Sequence, residues 1–236
     1  MKIVTFKTYQ EMSSYAADLY QEQLREKPNS VLGLATGSTP IGLYQELCRR
    51  NQQGEISFRE AVTYNLDEYC GLPPENDQSY RYFMNHNLFD HTDFRKDQLH
   101  IPNAFDGDAE TVCREYDAAI QAAGGIDLQL LGIGLNGHIG FNEPDDHFTK
   151  ETHMVELTEN TIQANARFFA DIQDVPTRAI TMGMGAIMSA KKILLVINGE
   201  KKRKIFEEAT TGKIRPECPA TILQLHPDVT VLYSEE

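Results

Sequence analysis

Three polar side chains follow an apolar run within residues 132 to 144, Gly-Ile-Gly-Leu-Asn-Gly-His-Ile-Gly-Phe-Asn-Glu-Pro: Asn136, His138 and Glu143. A histidine gives and takes protons at neutral pH, and Glu143 or Asn136 could accept its second ring N–H and fix its orientation. An isolated histidine is more often structural, so its neighbours are what make His138 an acid/base candidate. Asp67 is the second candidate. It ends the apolar stretch from Ala61 to Leu66 and lies beside Tyr69, where partial burial raises a carboxylate toward a useful base; without those neighbours it would read as a solvated turn. The third is Thr36-Gly37-Ser38-Thr39-Pro40, which puts backbone N–H groups and hydroxyls at the start of a helix, a place that favours phosphate. Ordinary capping uses the same residue types, so Gly37, Ser38 and Thr39 leave both readings open. Arg167 and Lys202 could add charge-assisted bonds to such an anion, although sequence alone does not bring them there.

Two other chemistries compete for the same residues. Gly132, Gly134 and Gly137 spell the G-x-G-x-x-G of a dinucleotide turn, with Glu156 near the spacing of the ribose-binding acid. That fingerprint needs its last glycine to open a helix, and His138 to Pro144 has no helical period and ends in proline. No G-x-x-x-x-G-K-[ST] is present for a nucleoside triphosphate. A metal could draw on His138, Glu143, Asp145 and His147, but no H-x-x-x-H or H-E-x-x-H helix supports it, and we expect neither metal nor cofactor.

Positioning these loops falls to alternating strands and helices. Thr8 and Glu11 form a capping box for an amphipathic helix over 8–26, preceded by a strand at 2–6. Strands are predicted at 31–35, 61–66, 127–133, 152–157, 178–182, 192–197 and 228–233. Helices are predicted after Pro40, near 79–89, over 106–123, 158–169, 184–190 and 200–209, with a short one near 219–225. This alternation predicts an α/β fold, a Rossmann-like three-layer sandwich whose mostly parallel sheet is covered by helices on both faces. In such a sheet the loops after the strand ends share one edge, so all three motif loops should meet there.

Bulk properties narrow the rest. The 236 residues contain no linker, repeat or low-complexity run, which suggests a single domain over 1–236. A net charge of −13 argues against nucleic-acid or anionic-membrane partners. Apolar runs are too short to span a membrane, the N-terminus turns polar at once, and four cysteines lack metal or disulfide spacing; a soluble, cytoplasmic protein is expected.

Taken together, Leu-Gly-Leu-Ala-Thr-Gly-Ser-Thr-Pro at 32–40, Asn-Leu-Asp-Glu-Tyr-Cys-Gly-Leu at 65–72, the 132–144 motif and Ala-Asn-Ala-Arg-Phe-Phe at 164–169 closely resemble the glucosamine-6-phosphate deaminase family, along essentially the whole chain. The resemblance implies conversion of D-glucosamine 6-phosphate and water to D-fructose 6-phosphate and ammonia without a cofactor. It assigns ring opening to His138, tuned by Glu143 and Asn136, and C2 proton abstraction to Asp67. It assigns phosphate binding to Gly37, Ser38, Thr39, Arg167 and Lys202, with Arg167 on a lid-like segment of about 145–170. Related 6-phosphogluconolactonases share the fold and a similar phosphate loop, so a hydrolase is the main alternative; a non-catalytic sugar-phosphate sensor is a third. Two departures stand out. Some members have Asp where this chain has Asn136, and allosteric hexameric members carry basic residues where this chain has His153 and Val155. The expectation is therefore no activation by N-acetylglucosamine 6-phosphate, with monomer or homo-oligomer left open.

Overall fold

In a computed structural model, described here for residues 1–159, 162–163, 171 and 174–236, the chain builds its main sheet from seven strands. In chain order the elements are β1 (Lys2–Phe6), α1 (Tyr9–Glu26), β2 (Val31–Leu34), α2 (Ile41–Gln52), β3 (Val62–Asn65), β4 (Asp67–Tyr69), α3 (Tyr80–Asn87), β5 (Leu99–His100), α4 (Ala109–Ala122) and β6 (Leu128–Leu131). There follow β7 (His153–Glu156), β8 (Arg178–Thr181), α5 (Met184–Met188), β9 (Lys192–Asn198), α6 (Arg203–Thr211), a 3-10 turn over Pro219–Leu225, and β10 (Val229–Ser234).

Local chemistry sets these boundaries. Thr8 Oγ1 accepts from Glu11 N and Glu11 Oε2 accepts from Thr8 N, both at 3.2 Å, which closes the predicted capping box at the start of α1. Behind it Met12, Ala16, Ala17, Tyr20 and Leu24 form a buried stripe. All four residues of β2 and of β6 are buried, as a parallel sheet covered on both faces demands.

The main sheet runs β1-β10-β9-β6-β2-β3-β5, and every pairing in it is parallel. From β2 the chain moves outward through β3 to β5, then returns to the other side of β2 as β6 and continues through β9 to β10. The strand order therefore reverses between β2 and β6, whose register pairs Leu32 with Leu128 and Gly33 with Gln129. This is the switch point at which ligands bind such sheets. The Thr36–Pro40 loop follows β2 and the 132–144 loop follows β6, so they face each other across it.

The predicted mostly parallel sheet is this seven-stranded one, and three strands lie outside it. β4, β8 and β7 form a separate antiparallel sheet, in that order. Its physical signature is visible in β7, where Met154 and Glu156 are exposed and His153 and Val155 half-buried; a strand with one wet face suits antiparallel pairing. Asp67 accordingly opens a new strand rather than sitting in a turn. Leu66 is the junction: its N–H donates to Leu34 O of the main sheet at 3.0 Å and its carbonyl accepts from Met182 N at 2.7 Å. The two-residue β5 was not foreseen from the sequence. Most of the predicted 158–169 helix lies outside the described residues.

Candidate active site

The loop after β6 folds back on itself in two tight turns. Gly134 N donates to His138 O and Gly137 N donates to Gly134 O, each at 3.0 Å, and Asn142 N donates to Ile139 O at 3.2 Å. A side chain on Gly134 would collide with the His138 ring, while Gly140, at φ +58°, would bring one to 2.9 Å from Thr181 Oγ1 and 3.5 Å from Asp67 Oδ2. These glycines thus allow close approach of the loop to His138 and Asp67. No helix opens behind them, which removes the dinucleotide reading.

The turns bring the three polar side chains together. Asn136 Nδ2 donates to Glu143 Oε2 at 2.6 Å, Asn136 Oδ1 accepts from the His138 backbone N–H at 3.2 Å, and His138 Nδ1 lies 3.3 Å from Glu143 Oε1. The last contact is an ion-pair distance without the alignment of a hydrogen bond, and Nδ1 is buried. Since the His138 side chain is 27% exposed, the accessible part is the rest of the ring. One carboxylate thus holds both partners, with its two oxygens divided between the amide and the imidazole.

Asp67 is 6% exposed, and burial, then the neighbouring charge of Glu68, pushes its carboxyl up to about 8. Glu68 has a different environment. Its carboxylate accepts from the backbone N–H groups of Tyr69 (2.9 Å), Tyr80 (2.8 Å) and Arg81 (2.9 Å), so it caps the first turn of α3 alongside Ser79. Burial raises Glu68 too, against those three bonds. Of two adjacent buried acids, one is tied up by amides and the other is left as a strongly basic carboxylate.

Tyr80, which sequence reasoning missed, connects the pieces. Its phenol donates to the Tyr69 hydroxyl at 3.3 Å and feels the Asp67 charge; burial drives it well above the usual tyrosine range. Its ring is parallel to Phe141 of the His138 loop, with centroids 6.0 Å apart. Only the adjacency of Tyr80 to a helix start, where Glu68 could reach its N–H, hinted at this in the sequence.

Lys202, between β9 and α6, donates from Nζ to Ile133 O at 2.7 Å, which places an ammonium group at the end of β6; burial lowers its pKa. Gly37, at φ +93°, has open space where a Cβ would project, and Ser38 and Thr39 follow it into α2. Among the described residues no group accepts from the N–H of Gly37, Ser38 or Thr39. Arg167 lies outside the described residues. The metal set considered from sequence is not assembled: Asp145 and His147 group with Asp146 on an exposed corner that includes neither His138 nor Glu143. A cavity of about 270 Å³ is lined by Phe141, Asn142 and Glu143 of this loop together with Phe148, His153 and Met184, and by none of Asp67, His138 or Lys202.

A buried carboxylate, a histidine beside a glutamate and a loop of unpaired amides, gathered at the switch point of a parallel sheet, define an α/β protein with its acid/base groups at one sheet edge. The chain belongs to the family of glucosamine-6-phosphate isomerases and 6-phosphogluconolactonases, whose family model matches residues 6–232. It is 56% identical over 232 residues, 98% of each chain, to a glucosamine-6-phosphate deaminase of Lachnoclostridium phytofermentans. It is 52% identical over 236 residues to that of Thermoanaerobacter pseudethanolicus, covering all of this chain and 93% of the relative. A solved monomeric glucosamine-6-phosphate deaminase superposes with a TM-score of 0.96 at 46% identity, covering 99% of this chain and 97% of the other. The 6-phosphogluconolactonase of Thermotoga maritima shares the fold, with a TM-score of 0.75 at 18% identity over the whole of this chain and 99% of the other.

Proposed function

We propose that this protein is a glucosamine-6-phosphate deaminase, converting D-glucosamine 6-phosphate and water to D-fructose 6-phosphate and ammonia. The observation that carries the reading is Asp67: a buried carboxylate with a raised pKa, held within reach of the His138 loop, suits removal of a carbon-bound proton and has no task in lactone hydrolysis. His138 moves the proton between O1 and O5 that opens the pyranose, a step that needs acid and base in one cycle. Glu143 and Asn136 fix its ring and the charge beside it. Asp67 takes the C2 proton to give an enolamine, and protonation at C1 gives an iminium at C2. Water adds there and ammonia leaves. The Gly37–Thr39 amides, Lys202 and Arg167 hold the phosphate, so that binding remote from C2 positions the reacting carbon.

The proton-abstraction step is open to a direct test. Substrate deuterated at C2 should show a primary isotope effect and pass label to solvent or to C1 of the product; release of ammonia into a product that keeps deuterium on C2, and so is not the ketose, would rule out Asp67 chemistry. Replacing Arg167 with Ala should mainly raise KM, because the group binds phosphate equally in ground and transition states. The same reading includes action in the cytoplasm, as a monomer or a homo-oligomer, on amino sugars released by catabolism. It also includes indifference to N-acetylglucosamine 6-phosphate, since His153 and Val155 supply no pair of fixed cations.

A further inference from the structure

Tyr9 opens α1, outside every motif of the site, yet its phenol is lodged beneath the loop that follows β2. The hydroxyl accepts from Gly42 N at 2.7 Å, donates to Thr39 O at 2.8 Å and lies 3.3 Å from Ser38 O. A hydroxyl has one hydrogen and two lone pairs, so this group is close to saturated. The approach depends on Gly42, where a Cβ would fall 2.8 Å from Tyr9 Cε1. Tyr9 is itself fixed, because its backbone N–H donates to Glu236 Oε2 at 3.1 Å.

We infer that Tyr9 is a positioning residue for the substrate phosphate, its phenol holding the Thr36–Pro40 loop so that the loop amides face the cleft. The inference rests on the deaminase reading only in taking this loop as the phosphate site. In a trans peptide the C=O of one residue and the N–H of the next point in opposite directions, and the described chain has no cis bonds. Turning the Ser38 carbonyl toward the phenol therefore turns the Thr39 N–H away from it. The phenol also keeps two carbonyl dipoles off the anion, and it occupies Gly42 N–H, one of the amides that the first turn of α2 leaves without a helical partner. α2 has no side-chain cap of its own, so the tyrosine of another helix substitutes for one.

The test is Tyr9→Phe in the full-length chain, with inorganic phosphate as the probe. The Kd for phosphate and the KM for glucosamine 6-phosphate should rise together by about five- to tenfold, the range for losing one or two net hydrogen bonds. kcat should stay close to wild type, while the melting temperature without phosphate falls by a few degrees at most, for the bonds lost to Gly42 and Thr39. Installing 4-aminophenylalanine at position 9 returns a donor to the same place and should recover most of the affinity, which a purely structural role would not require. Equal phosphate affinity in wild type and Tyr9→Phe, or a matching fall in kcat with no change in phosphate Kd, overturns the inference. Wild type that binds no phosphate overturns it along with the loop assignment, whereas the deaminase reading is decided separately by ammonia release.

Discussion

At the scale of the residue, the site carries a stability cost in Asp67. Its carboxyl titrates near 8 in the folded chain and near the ordinary 3.8 when unfolded. Between those values the folded state binds a proton that the unfolded state has lost, so stability falls as pH rises through that window, by about 1.4 kcal/mol per pH unit for this one group. Asp67→Asn should therefore raise the melting temperature relative to wild type at pH 8 and do so much less at pH 4, while lowering kcat by about a thousandfold with little change in KM. Near-normal turnover in that variant would refute Asp67 as the base. For wild type, kcat/KM should climb with pH to a plateau with an apparent pKa near 8, since the free enzyme needs the ionised form. A limb centred near 4 would mean that the working base is another group.

At the scale of the element, the helix α3 is fastened to the site by Glu68, and the antiparallel sheet by Asp67 itself. Glu68→Gln keeps the size but can accept fewer of the three amide bonds and removes a charge beside Asp67. It should lower stability by about 1–3 kcal/mol in chemical denaturation and move the rising limb of kcat/KM toward lower pH. A limb that stays in place would show that Glu68 only caps the helix. Gly140→Ala should be worse for activity than for folding, because its positive φ and its contact with Thr181 fix the loop that bears His138 and Glu143. The parallel strands and their helices were legible because apolar runs and capping signals are local. The antiparallel sheet was not, because β4 is three residues long and pairs Asp67 with Thr181 and Tyr69 with Ala179, residues far apart in the chain. The grouping of Asn136, His138 and Glu143 could be read from spacing, whereas the roles of Tyr9, Glu68 and Tyr80 could not. Each acts through a backbone amide, a carbonyl or a hydroxyl whose position exists only in the fold.

At the scale of the whole molecule, the reversal of strand order between β2 and β6 turns three distant segments into one cleft. The loop after β2 offers amides, the junction between the two sheets presents Asp67, and the loop after β6 brings the histidine. Lys202 places a half-buried cation at the end of β6, where phosphate is expected, although the net charge is −13. No helix among the described residues is long and apolar enough to cross a membrane. The central claim is that this cleft removes a proton from C2 of an amino sugar phosphate with its own side chains alone. The most direct measurement follows ammonia and fructose 6-phosphate released from glucosamine 6-phosphate by purified protein in the presence of a metal chelator, with 6-phosphogluconolactone as the competing substrate. Equal amounts of both products are expected, at a rate the chelator leaves unchanged, if that claim holds. Faster opening of the lactone than release of ammonia, or loss of ammonia release to the chelator, would contradict it.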